Sequence, residues 1–336
     1  MVALNLDPGL VREVRPGVER FATRTPVVDV PELSTSAVAG VALKLETLQP
    51  TGSFKIRGAA AKITSLGPDE LARGVVTAST GNHGRAVAHV ARALGATATV
   101  CMSDHVPPGK RAALAALDAV LDIGGPSQDT AFARAVAMSQ QVDGPVLVHS
   151  ILDPLTVAGQ GTCGLEIVEQ RPACDLVIVP VSGGGLIAGI TVAVRSRLPR
   201  VRVLGVSMDR GAAMHASLAA GRPVEVDEVP SLADSLQGGI GLANDVTYPI
   251  VRDLVDDVVL VTEAEIAEAM RWALVERHLV LEGAGAVGIA ALQAGKVAGA
   301  ARSTVVVCSG ANVETETIAA LATGELGIDP TTPHQR

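Results

Sequence analysis

The stretch DLVIVPVSGGGLIAGITVAVR, residues 175–195, decides the fold class of this chain. Its apolar first part, rich in β-branched residues, predicts a buried strand over 175–181. Three consecutive glycines follow at 183–185, and the next apolar run predicts a helix over 186–197. A strand that passes through a glycine turn into a helix is the opening of a βαβ unit in a parallel sheet.

The same alternation extends along the chain in both directions and predicts an α/β fold with parallel-rich sheets flanked by helices. The further predicted strands are 41–45, 74–78, 96–102, 119–123, 145–149, 201–208 and 303–308. The further predicted helices are 54–65, 85–94, 109–117, 130–141, 156–170, 264–277 and 285–292.

Composition narrows the class of protein. A length of 336 residues favours two domains. With 48% hydrophobic residues, 18% charged residues and 1% aromatics, the chain reads as a globular protein whose core is built from Val, Leu, Ile and Ala. A formal net charge of −8 argues against nucleic acid or an anionic membrane as a partner. The sequence shows neither a signal peptide nor a long apolar span, so we expect a cytoplasmic protein without a membrane partner.

Cysteine and histidine spacing bears on metals and redox state. The four cysteines show no CxxC spacing and are predicted to be free, mostly buried thiols of a reducing compartment. The seven histidines form no HExxH motif and no cluster with cysteine, so no metal site is predicted.

Lys55 is the first candidate for chemistry, because it stands between Phe54 and Ile56 in the segment TGSFKIRGA, residues 51–59. Burial would favour its neutral amine, which is a nucleophile toward an aldehyde. Taken alone, this context favours an ordinary lysine whose stem lies along a surface helix.

The turn SGGGL, residues 182–186, is the second candidate. Its backbone N–H groups at a helix N-terminus would form a cradle for a phosphate. The spacing of Gly183, Gly185 and Ala188, with Asp209 after the next strand, also fits a dinucleotide site. This turn therefore leaves an NAD-dependent dehydrogenase open as an alternative.

Two further loops follow predicted strands. The segment STGNHG, residues 79–84, offers hydroxyls and a helix N-terminus, which suit a carboxylate. The segment CSGAN, residues 308–312, ends the last predicted strand. Ligands of parallel sheets bind at the carboxyl ends of strands, where the loops at 79, 182 and 309 are all expected. Two anion cradles and one lysine are difficult to explain as turns alone.

In this order, the motifs resemble those of fold type II pyridoxal-phosphate enzymes, in particular the threonine/serine dehydratase and serine racemase group. The resemblance runs from residue 24 to residue 312 and includes VAGQGT at 157–162 and ADS at 233–235. It implies a two-domain fold like that of the tryptophan synthase β subunit, and a homodimer. Residues 1–73 and 150–336 would form the large cofactor-binding domain, and residues 74–149 a small inserted α/β domain.

The resemblance also implies a role for each matching residue. Lys55 would hold pyridoxal 5′-phosphate as a Schiff base and later take the Cα proton of the substrate. The other cofactor contacts would come from Phe54, Asn82, Gly183, Gly184, Gly185, Leu186, Glu282 and Ser309. The carboxylate of a small amino-acid substrate would be held by Ser79, Thr80, Gly81, Asn82 and His83, with Thr80 also a candidate catalytic residue.

Ser309 points to the reaction type. A hydroxyl does not keep the pyridine nitrogen protonated as a carboxylate would, so the ring is a weaker electron sink and prompt loss of a β-substituent is favoured. The implied reaction is the dehydration and deamination of a β-hydroxyamino acid such as L-threonine or L-serine, through an enamine, to a 2-oxo acid and ammonia. A serine-type racemase and a non-catalytic cofactor-binding protein are the alternatives within the same fold.

Departures from the family pattern narrow this expectation. Thr80 stands where racemases have serine, and Ser207 stands where metal-dependent relatives have glutamate, so racemisation and a divalent metal are both disfavoured. The chain stops near residue 336 without the regulatory domain of biosynthetic threonine dehydratases, so isoleucine feedback is not expected. The segments 206–214 and 232–242 resemble the hydroxyectoine-utilisation branch. Within the second segment, Gly238 and Gly239 stand where serines usually face a small substrate side chain, which implies room for a longer, hydroxyectoine-derived amino acid.

Overall fold

The computed structural model describes residues 6–79, 81–106 and 108–325. Their strands are β1 (Val27–Asp29), β2 (Val41–Leu45), β3 (Val75–Ala78), β4 (Ala98–Met102), β5 (Val120–Ile123), β6 (Val146–Leu147), β7 (Leu176–Pro180), β8 (Arg202–Met208), β9 (Asp257–Val261) and β10 (Thr304–Cys308). Their α-helices are α1 (Pro8–Glu19), α2 (Lys55–Thr64), α3 (Pro68–Arg73), α4 (Asn82–Ala93), α5 (Pro108–Ala115), α6 (Gln128–Ser139), α7 (Pro154–Gln170), α8 (Gly185–Arg195), α9 (Ala213–Ala220), α10 (Thr247–Leu254), α11 (Glu263–Arg277), α12 (Gly283–Gln293) and α13 (Thr315–Thr323).

The larger sheet has six strands in the order β1-β2-β10-β7-β8-β9, and every pair is parallel except β1 with β2. Alternate residues of its central strands face opposite sides. Val177 and Val305 belong to one apolar cluster, whereas Ile178 and Val306 belong to the other. Strands buried on both faces need continuous apolar runs, which is what the opening stretch of sequence provides.

The smaller sheet has four parallel strands in the order β5-β4-β3-β6. One of its faces packs with α4 through residues such as Val75 and Val87, and the other with α6 through Val76 and Ala131. The predicted α/β class with parallel-rich sheets is confirmed. The division into a large domain and an inserted domain of residues 74–149 stays a prediction.

Helix α2 packs between α7, a helix beside the larger sheet, and α4, a helix beside the smaller sheet. It packs closely on α7, since a Cβ on Gly159 would lie 2.7 Å from the Cα of Gly58 and 2.5 Å from the carbonyl oxygen of Arg57. Its apolar residues Ile56 and Ile63 pack with α4. Lys55, the first residue of α2, is therefore placed where the two sheets come together.

Several properties expected from composition can be compared with the structure. All four cysteines are free and buried, as predicted. No helix among the described residues is long and apolar enough to span a membrane. Within the same part of the chain, no group of three or more His, Cys, Asp or Glu side chains is arranged to hold a metal ion.

Candidate active site

Lys55 has a side chain whose surroundings favour the neutral amine. It is half-buried, and its Nζ lies 5.1 Å from the centre of the Phe54 ring. Burial lowers the pKa of Lys55 to about 8, and the nearby carboxylate of Glu282 opposes that shift only in part. A larger fraction of this amine is therefore neutral at physiological pH than of an ordinary lysine.

Ion pairing sets Lys55 apart from the other lysines. The chain has five lysines, and four of them form ion pairs with carboxylates. These pairs are Lys44 with Glu166 at 2.5 Å, Lys62 with Asp153 at 2.8 Å, Lys110 with Asp234 at 3.0 Å and Lys296 with Glu265 at 2.6 Å. Among the described residues Lys55 has no such partner. A partly buried lysine without a carboxylate partner is a candidate catalytic or cofactor-binding residue.

The segment before α2 is held against the end of β10. The backbone N–H of Phe54 donates to the carbonyl oxygen of Ser309 at 3.0 Å, and Ser53 forms a β-bridge with Gly310. Ser309 is buried. The predicted partner of a pyridine nitrogen therefore lies directly beside the residues that carry Lys55.

Asn82, Glu282 and Asn312 form a buried polar network. The Nδ2 of Asn82 donates to the two carboxylate oxygens of Glu282 at 2.8 and 3.1 Å. The Nδ2 of Asn312 donates to the Oδ1 of Asn82 at 2.6 Å. Burial raises the pKa of Glu282 to about 7, although hydrogen bonds from Asn82, Ser235 and Asn312 oppose the shift. The network joins the start of α4 to the start of α12 and to the loop after β10.

The glycine turn before α8 has a conformation that only glycine adopts readily. Gly184 has a φ of +87°, and a Cβ there would lie 2.8 Å from the Cε of Met214. The hydroxyl of Thr247 donates to the carbonyl oxygen of Gly183 at 2.6 Å, and Asn244 in turn donates to that hydroxyl at 2.8 Å. The turn is thus fixed at the N-terminus of an eleven-residue helix, which is a suitable place for an anion.

The loop after β3 leads directly into α4. Ser79 is half-buried, Gly81 is the N-cap of the helix, and a Cβ on Gly81 would meet nothing within 4 Å. His83 is buried in the first turn of the helix. Thr80, the predicted catalytic residue, lies outside the described residues. The loop leaves open space at the N-terminus of a helix, as a carboxylate site requires.

His149 was not predicted from the sequence. It holds the loop that contacts the glycine turn, and its pKa is affected by Lys55. Its Nδ1 accepts hydrogen bonds from the N–H groups of Ile151 and Leu152 at 3.1 and 3.0 Å. Burial, together with the charge of Lys55, lowers its pKa to about 4. A Cβ on Gly183 would lie 2.6 Å from the Cδ1 of Ile151, so this loop contacts the glycine turn. The position of His149 at the end of a predicted strand was the signal that could have revealed it.

Asn244 and Thr247 were also missed, and no motif marks them. Thr247 bonds to Gly183 across about sixty residues of sequence, and Asn244 bonds to Thr247, so no local pattern could have found them.

Together these groups suit a phosphorylated aldehyde with an aromatic ring. The amine of Lys55 can attack the aldehyde, the glycine turn can bind the phosphate, and Ser309 can face a ring nitrogen. The residues present therefore fit pyridoxal phosphate.

Comparisons with known proteins also indicate a pyridoxal-phosphate enzyme. A family model described as "Pyridoxal-phosphate dependent enzyme" matches residues 18–310. A provisionally named threonine dehydratase of Sinorhizobium fredii is 48% identical over 92% of this chain and 93% of its own length. The L-threonine ammonia-lyase of Geobacter sulfurreducens is 41% identical over 92% of this chain and 76% of its own length. The structure of maize serine racemase is 31% identical, with a TM-score of 0.86, and covers 96% of this chain and 98% of that chain.

The family match includes the glycine turn at 183–185, and the cofactor of that family is pyridoxal phosphate. The predicted fold type II architecture and the predicted cofactor are confirmed. On its sequence and its fold, the chain belongs to the family of pyridoxal-phosphate dependent enzymes.

Proposed function

We propose that this enzyme eliminates the hydroxyl group of a small β-hydroxyamino acid, L-threonine or L-serine, to give a 2-oxo acid and ammonia through an enamine. The observation that carries the proposal is Lys55, a half-buried amine that has no carboxylate partner among the described residues and lies beside Ser309. The similarity to relatives named threonine dehydratase and L-threonine ammonia-lyase supports the substrate class.

Each residue of the site has a separate role in the proposed reaction. When bound, pyridoxal phosphate supplies an electron-withdrawing ring that stabilises negative charge on the Cα of the amino acid. Lys55 takes the Cα proton, because its lowered pKa keeps part of the amine neutral. Ser79 and the N-terminus of α4 hold the carboxylate. Glu282 keeps the amide of Asn82 in one orientation.

Ser309, the glycine turn and Phe54 are assigned to the cofactor. The neutral hydroxyl of Ser309 does not hold a proton on the pyridine nitrogen, which favours early departure of the β-hydroxyl. The N–H groups of Gly183, Gly184, Gly185 and Leu186 bind the cofactor phosphate, and Phe54 lines the ring.

A panel of β-hydroxyamino acids tests the proposal. We expect L-threonine to give 2-oxobutanoate and ammonia in equal amounts, and L-serine to give pyruvate, because both carry a leaving group on Cβ. Coupled assays for 2-oxo acid and ammonia measure both products, and L-2-aminobutyrate, which has no hydroxyl, is the control. Absence of turnover on every hydroxyamino acid by protein that holds the cofactor would contradict the proposal.

The panel should include hydroxyectoine-derived amino acids. A Cβ on Gly238 would meet only Glu228, at 3.6 Å, and one on Gly239 would meet only a backbone nitrogen 4.0 Å away. Neither position is crowded, so these glycines leave room for a longer substrate if the substrate lies beside them.

A serine racemase is the second candidate, favoured by the similarity to the maize enzyme. It needs an acid or base on the second face of the substrate, for which Thr80 is the candidate. Chiral analysis of the same L-serine reactions decides between the two, since the elimination predicts pyruvate with no accumulation of D-serine.

Gly184→Ala tests the phosphate cradle. Alanine at a φ of +87° and 2.8 Å from Met214 should displace the turn and weaken binding of pyridoxal phosphate by about tenfold or more. Fluorescence titration of the apoprotein measures the dissociation constant. Gly295→Ala is the matched control, because Gly295 has a φ of +66° with nothing within 4 Å. Equal cofactor affinity in the two variants would argue against the cradle.

We also propose that the enzyme works as a homodimer in the cytoplasm. The family resemblance supports the dimer, and the four free, buried cysteines support a reducing compartment.

A further inference from the structure

His83 has one ring nitrogen bonded and one without a partner. Its Nε2 lies 2.9 Å from the carbonyl oxygen of Val148. A carbonyl oxygen can only accept, so Nε2 carries the hydrogen and, in the neutral ring, Nδ1 carries a lone pair. Nδ1 is buried and has no hydrogen-bond partner. Buried acceptors are rarely left unpaired, so this atom calls for an explanation.

The ring remains neutral because of its surroundings. Burial first, and then the positive charge of Lys55, lower the pKa of His83 to about 3, while the bond to Val148 opposes the shift and His149 adds to it. The charged group that acts on the pKa of Lys55 is Glu282. The charge of Lys55 in turn lowers the pKa of His83 and of His149, and both imidazoles are neutral at physiological pH. Lys55 and His83 each lie in the first turn of one of two helices, α2 and α4, that pack against each other.

We propose that His83 is a positioning residue for Lys55, and that Nδ1 of His83 accepts a hydrogen bond from the ammonium form of Lys55 whenever that amine is not attached to the cofactor. This inference rests on the proposed function. When the Cα–H bond breaks, its electron pair stays on Cα and the proton moves to the amine of Lys55. The resulting ammonium donates a hydrogen to Nδ1 of His83, which remains neutral. The bond holds the amine over the substrate and strengthens it as a base.

His83→Gln separates the two hydrogen bonds of the ring. The glutamine amide reaches the place of Nε2 and can still donate to Val148, but it offers no acceptor at the place of Nδ1. His89→Gln is the matched control, because His89 lies on the same helix and its pKa is affected by burial and by Arg92, not by Lys55. His83→Asn is the reciprocal variant, since its carbonyl can replace Nδ1 while the bond to Val148 is lost.

The first readout does not depend on activity. Attachment of pyridoxal phosphate to the apoprotein requires a neutral Lys55, so its rate should rise with pH through the pKa of this amine. An acceptor stabilises the ammonium form, so His83→Gln should move the midpoint to lower pH, whereas His89→Gln and His83→Asn should keep the native midpoint. An unchanged midpoint in His83→Gln overturns the proposal. If that variant does not fold, a lowered midpoint in His83→Asn overturns it instead.

The second readout is the deuterium isotope effect on kcat with Cα-deuterated L-threonine. We expect kcat of His83→Gln to fall about tenfold with a larger isotope effect and a KM within twofold of native, because only proton removal is slowed. A native isotope effect in this variant contradicts the proposal. If native protein turns over no hydroxyamino acid, the proposed function is wrong, and the attachment midpoint alone decides the role of His83.

Discussion

Lys55→Ala should bind pyridoxal phosphate without forming a covalent bond to it and should lose turnover of L-threonine by roughly 10²–10⁴-fold or more, the range of a lost general base. Both losses have one cause, because in the proposed mechanism the same amine attaches the cofactor and takes the Cα proton. The visible absorption band that borohydride removes from native protein should be missing from the variant. Coupled measurement of 2-oxobutanoate gives the rate.

Lys62→Ala is the matched control for this experiment. Lys62 lies on the same helix, two turns further along, and its ammonium pairs with Asp153 at 2.8 Å. Losing a partly exposed ion pair should cost at most about 1 kcal/mol and leave the absorption band and the rate near native. Retention of the band in Lys55→Ala, or its loss in Lys62→Ala, would mean that the cofactor is held elsewhere.

Arg57→Leu should lower the free energy of unfolding by about 3–5 kcal/mol, because it leaves buried carboxylates unpaired. Arg57 is 1% exposed, and its guanidinium donates to Glu46 at 2.7 and 2.8 Å and to Glu166 at 2.7 and 2.9 Å. Lys44, also buried, pairs with Glu166 at 2.5 Å. Two positive and two negative charges thus balance in this cluster, and the leucine variant keeps only one positive charge.

Urea unfolding of the protein measures the effect. Arg302→Ala is the control, because its side chain is 97% exposed and lies 3.9 Å from Asp175, so its removal should change the unfolding free energy by at most about 0.5 kcal/mol. Equal midpoints for the two variants would mean that the buried cluster contributes little to stability.

The elements that surround the site were predictable from sequence. The opening stretch predicted a strand over 175–181 and a helix over 186–197, and the structure has Leu176–Pro180 and Gly185–Arg195. Such elements are buried on both faces, so their apolar runs are long and end at glycine or polar turns. The same reason explains why the loops at 79, 182 and 309 could be found as strand ends.

Elements with weaker local signals were not predicted. Pro8–Glu19 forms a helix although Pro16 lies inside it, which hides the helical pattern. Val27–Asp29 is a strand of three residues at the sheet edge, where antiparallel pairing with β2 supplies what local propensity does not. Asp257–Val261 extends the other edge of the sheet after a run of acidic residues.

The contacts within the site were predictable only in part. Lys55, Asn82, Glu282 and Ser309 were named from motifs, but the hydrogen bonds among Asn82, Glu282 and Asn312 join residues 30 to 230 positions apart. The unpaired nitrogen of His83 depends on Val148. Contacts between residues so far apart in the sequence depend on tertiary packing, which a local sequence pattern does not predict.

Peptide mapping after borohydride reduction tests most directly whether Lys55 holds the cofactor. With five lysines in the chain, each has a distinct place in the map. We predict that mass spectrometry of the digested holoenzyme finds the reduced pyridoxyl group on the peptide that contains Lys55 and on no other. Its presence on Lys44, Lys62, Lys110 or Lys296 instead, or its absence from every peptide, would contradict this account.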